Sequence, residues 1–173
     1  MAPWAWSATV PTVLLIALMA RHGFATHLLG WQVFGTTVVS IWAWALAGIA
    51  LGLSIPLAVA APLALATPLA WAIFPPGMSI YWLRHLTGEW IDCCSVTQTL
   101  DPAVVAGIAA VNLGLLLASG LAVQARVVRK GRNLLLTTSI VVLASGLVGG
   151  AYQVNHMDAF PTRPREMALT CRP

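Results

Sequence analysis

Four histidines and three cysteines are the side chains of this 173-residue chain best suited to holding a metal or a porphyrin-type group. They are His22, His27, His85 and His156, with Cys93, Cys94 and Cys171. Imidazole and thiolate are ligands for copper and zinc, imidazole is an axial ligand for haem or a chlorophyll-like pigment, and Met78 adds a thioether. Their spacing matches no diagnostic ligand motif. There is no HExxH zinc helix, no CxxC redox pair and no glycine-rich phosphate loop. No soluble-type active site is expected, and no cofactor is firmly implied.

The elements that must position these residues follow from composition. The chain is 59% hydrophobic and 8% charged, against about 25% charged in an average soluble protein. Its charged residues are Arg21, those between Arg84 and Asp101, those between Arg126 and Arg132, and those from Asp158 onward. A crossing helix needs about 20 mostly apolar residues. The uncharged intervals therefore predict about five transmembrane helices, near residues 4–20, 30–53, 56–75, 102–125 and 133–155. Lipid offers no partner for an open strand edge, so the expectation is an all-α membrane bundle, one integral domain over residues 1–173. The first segment has the apolar core of a signal peptide but no basic n-region, so it is read as a crossing. A four-helix version changes nothing from Arg84 onward.

The net charge of +4 fits a topology signal better than a nucleic-acid footprint. Four of the nine basic residues sit together in RVVRKGR, as Arg126, Arg129, Lys130 and Arg132. The positive-inside rule makes this loop cytoplasmic. Loop 84–101 and the tail 156–173 then lie outside, and together with Arg21, also on that side, their arginines number five against five carboxylates. Richness in alanine, with a single lysine, points to a bacterial chain and hence to a bacterial inner membrane. With this topology all four histidines fall at the outer boundary, and all three cysteines share the outer compartment. A disulfide between Cys171 and Cys94, or Cys93 in its place, would tie the tail to the outer loop as a cap. Closing so long a loop contributes about 4 kcal/mol in the chain-entropy model.

Between the charged groups the signals concern packing. Pro62 and Pro68 lie inside the third crossing and withhold the donors that the carbonyls of Ala58 and Ala64 would receive, which predicts a kinked helix. Ser54 is expected to cap its start, and Asp101 followed by Pro102 to cap the fourth. Ala106, Ala110, Gly114, Ala118 and Ala122 recur every four residues on the fourth crossing. Gly48 with Gly52 and Gly146 with Gly150 repeat the GxxxG spacing on the second and fifth. Small residues so placed let membrane helices approach closely. Asn112, midway along the fourth crossing, is expected to bond across to another helix.

No Asp, Glu, Lys or Arg falls within a predicted crossing, which disfavours proton relays and coupled transporters. The leading expectation is a non-catalytic accessory subunit of a larger respiratory, photosynthetic or transport complex, with other membrane subunits and the bilayer as partners and no nucleic acid. One alternative is a metal-, haem- or pigment-binding protein using the outer histidines. A second is a passive channel or carrier for a neutral or apolar solute along the kinked third helix.

Overall fold

The computed structural model describes residues 14, 18, 21, 26–87, 98–128, 131–155 and 162–164. Within these, α1 (Thr26–Gly52) and α2 (Leu57–Ile73) are followed by a 3-10 turn (Pro75–Gly77) and a short helix α3 (Tyr81–Leu86). Strand β1 (Gln98–Leu100) then leads into α4 (Pro102–Val127), α5 (Arg132–Val154) and strand β2 (Thr162–Pro164). Among the described residues, four helices are long and apolar enough to cross a membrane, within α1, α2, α4 and α5. The fold is that of an all-α, multi-pass membrane protein. The first expected crossing falls almost wholly outside the described residues; Leu14, Leu18 and Arg21 are helical and exposed.

Helix α4 is the centre. It packs along α5 on one side and α1 on another, while α2 rests on α1 and α3 folds back over α4 and α5. The same end of the bundle holds the α1–α2 and α4–α5 connections, and the other holds α3 and β1. Burial follows this order: nearly half of α4 is buried, whereas among the described residues of α2 only Ala60 is. A bilayer supplies no hydrophobic force between helices, so the apolar flanks of α2 and α5 are compatible with lipid. The core cluster sits at the α3 end, where Leu86, Leu100, Val104, Ile108, Val111 and Val154 meet with Trp71 against them.

Local chemistry sets the boundaries. Asp101 caps α4 as expected: its Oδ1 accepts from the Ala103 N–H at 2.8 Å, and Pro102 takes the first helical position. Ser54 does not cap α2. Its hydroxyl turns back and donates to the Ala50 carbonyl at 2.6 Å, and Pro56 is the N-cap residue. A serine just past a helix end has that carbonyl within reach, so local back-bonding wins over capping. Helix α1 starts four residues before the expected boundary, because Thr26–Leu29 contains nothing that breaks a helix. Gly131, at φ 79°, makes the tight left-handed turn that starts α5.

Two elements were not expected. The Pro75–Gly77 turn ends α2 and redirects the chain, so that α3 can bury His85 and Leu86. Strand β1 pairs antiparallel with β2, Gln98 opposite Pro164 and Leu100 opposite Thr162. The segment before α4 and part of the tail are thus joined by backbone pairing. Cys93, Cys94 and Cys171, and with them the expected disulfide, lie outside the described residues.

Candidate functional site

The histidine set is only partly described. His85 is in α3 and almost fully buried, at 3% exposure, next to Leu86. That differs from a solvated boundary position, and its cause is the fold-back of α3 onto α4 and α5. His27 belongs to α1, at a position whose side chain lies outside the described set, as do His22 and His156 entirely. Met78, just after the turn, is exposed. Among the described residues no three His, Cys, Asp or Glu side chains gather as a metal site.

The small-residue positions form the most constrained geometry in the molecule. A β-carbon added at Gly114 would fall 2.9 Å from the Gly146 Cα, and one added at Gly146 would fall 2.8 Å from the Gly114 Cα and 2.9 Å from the Ala110 carbonyl oxygen. One helical repeat further, a β-carbon at Gly150 would lie 2.6 Å from a Val111 methyl and 2.8 Å from the Gly107 oxygen. Backbone meets backbone here, so these positions admit nothing larger than glycine without the helices moving apart.

The partner line on α4 is not the four-residue stripe. Along that stripe Gly114 and Ala118 are buried, Ala110 and Ala122 half-buried and Ala106 exposed. A step of four residues advances 400°, so each member drifts about 40° from the last. The buried line instead runs through Val104, Gly107, Val111, Gly114 and Ala118 in steps of three and four, and on to Ala125 seven residues later, which keeps to one side of a helix. Gly107 was missed for this reason; a search at spacing seven from Gly114 would have found it. On α1, Gly48 approaches Ala64 of α2, with 3.6 Å from an added β-carbon to the Ala64 Cβ, whereas at Gly52 such a carbon meets nothing within 4 Å.

Polar side chains in the helices are mostly satisfied within their own turns. Asn112, 6% exposed, donates from Nδ2 to the Ile108 carbonyl at 3.0 Å rather than across to another helix. The carbonyl four residues back is always within reach, so this bond forms without a partner. Thr67, Thr137 and Thr138 bond back in the same way. The Ser139 hydroxyl of α5 does cross between helices, donating to the Ala118 carbonyl of α4 at 2.8 Å. It borders an open groove of about 190 Å³ between α1, α4 and α5. This groove lies away from α2, where a solute path was expected.

No family model, curated protein or solved structure matches the chain. The functional reading therefore rests on geometry and chemistry alone.

Proposed function

We propose that this protein is a non-catalytic accessory subunit of a larger membrane complex, docking through α2. One feature supports the reading. Of the four membrane-length helices α2 has the least extensive contact: it lies against α1, Trp71 near its end reaches the core cluster, and only its Ala60 is buried. Pro62 and Pro68 also withhold two donors of its ladder, leaving the Ala64 carbonyl in mid-helix without its usual partner. At 100° per residue, Leu65 and Leu69 project on the side opposite Ala60, and they are 76% and 60% exposed. Helices in lipid associate by close packing and by satisfying stray polar groups. So thinly held a helix gains more from a second helical surface than any other in the bundle.

The reading includes a sidedness. The basic loop 126–132 faces the cytoplasm, and α3, the β1–β2 ribbon and the tail form an outer cap on a bacterial inner membrane. The register of the ribbon supports a tying disulfide: the chain before Gln98 and the chain after Pro164 leave it at the same end. Cys94 is four residues from Gln98 and Cys171 seven from Pro164, a separation short extended arms can span.

Purification from native membranes in mild detergent tests the proposal, with mass spectrometry and an absorbance scan on one fraction. Stoichiometric partner subunits and no visible absorbance are expected. A lone protein carrying a chromophore or metal would overturn it in favour of the histidine-based alternative.

A further inference from the structure

The groove between α1, α4 and α5 is lined by small and apolar residues, among them Ala47, Leu115 and Ala122, and by the hydroxyl-bearing Ser54, Ser119 and Ser139. Its volume of about 190 Å³ equals roughly six water volumes, enough for a run of methylenes but not for a large ring system. Ser54 and Ser139 spend their hydroxyl protons on the carbonyls of Ala50 and Ala118. Ser119 does not. It is 6% exposed and has no hydrogen-bond partner among the described residues. No fully enclosed polar side-chain atom among these residues lacks a partner, so the Ser119 hydroxyl opens to the groove it lines.

Arg126 stands in the last turn of α4, one turn, or about 6 Å, beyond Ala122. Arg132 is the first residue of α5, seven residues before Ser139, about 10 Å along the axis. Both are exposed. Near the end of the bundle at which the groove lies, two arginines thus stand within about two turns of an apolar slot that holds a hydroxyl with no partner among the described residues. A guanidinium pairs with a phosphate oxygen in bidentate geometry, and basic pockets between membrane helices attract anionic headgroups.

We propose that this groove is a binding site for one anionic phospholipid, its phosphate held by Arg126 and Arg132 and one acyl chain in the slot, with its ester region within reach of Ser119. The site occupies α1, α4 and α5 and is independent of any partner on α2. Its occupant would bridge three helices near the end opposite the Leu86 core.

Native mass spectrometry and thermal unfolding of the full chain in neutral detergent, titrated with dioleoyl phosphatidylglycerol, test this. The expected result is a saturable 1:1 adduct that raises Tm, with dioleoyl phosphatidylcholine binding at least tenfold more weakly and inorganic phosphate giving no shift at equal concentration. Arg126→Gln and Arg132→Gln are each expected to weaken binding about fivefold at low salt. Ala122→Leu, which fills the slot, is expected to abolish the 1:1 adduct, and Ala47→Leu does so from the opposite wall should the first variant fold poorly. Ser119→Ala removes the hydroxyl with little change of volume and is expected to weaken binding about threefold. Equal binding of the two lipids, an equal shift from inorganic phosphate, or an adduct unchanged in well-folded slot-filling variants would each overturn the proposal.

Discussion

The α4–α5 seam and the α1–α2 contact both use glycine and alanine, yet they hold their helices in different ways. Across the seam, Gly114 meets Gly146 and Gly107 meets Gly150 so closely that an added methyl strikes backbone. Between α1 and α2, the nearest approach at Gly48 is ordinary van der Waals contact with Ala64, and Gly52 touches nothing. Glycine spacing alone therefore does not mark a tight interface. What marks one is glycine facing glycine, with buried side chains such as Val111 and Val154 sealing the line on both sides. The consequence is a closely packed pair, α4 with α5, and a thinly attached helix, α2, whose apolar surface is mostly exposed.

Substitution can break this contrast. Gly146→Leu drives a branched side chain into α4 backbone and is expected to cost at least the roughly 3 kcal/mol at the top of the usual overpacking range, seen as aggregation or loss of the folded peak on size-exclusion chromatography. Gly52→Leu, with open space around it, is expected to leave the same peak unchanged. Equal losses from both would show that the two interfaces do not differ as described.

A smaller effect sharpens the picture at the α3 end. Leu86 is 2% exposed and packs against Val104, Ile108 and Val154. Leu86→Ala is expected to destabilise by about 2–4 kcal/mol and to free α3 for proteolysis near residues 78–87. Smaller again, Asp101→Ala removes the α4 cap and is expected to cost about 1 kcal/mol, with Asp101→Asn recovering most of it. Thermal unfolding in one detergent ranks all of these.

How much of this was legible in the sequence depended on the kind of signal. The spans near 56–75, 102–125 and 133–155 were readable to within about two residues, because charge-free length is a strong constraint in lipid. Asp101–Pro102 was equally clear, since cap and proline specify the same boundary. Helix α3 and the β1–β2 ribbon were not legible: six residues and three residues are too short for any periodicity, and their stability comes from the tertiary burial of Leu86 and Leu100. The glycines of the seam were visible, but their line was read at a spacing of four, which drifts off the interface at Ala106 and overlooks Gly107. Asn112 and Ser54 were misjudged for one reason: a short polar side chain on a helix has a nearby carbonyl of its own, and that competes with longer-range bonding. Of the candidate ligands, His85 is described and buried, and its burial depends on a fold-back that sequence spacing does not encode.

Photocrosslinking in native membranes tests the central claim most directly. A benzoylphenylalanine placed at Leu65 of α2 is compared with one at Ile140 of α5, positions 76% and 69% exposed. Docking through α2 predicts a discrete protein adduct from Leu65 and only lipid adducts from Ile140. Lipid adducts alone at both positions would contradict it.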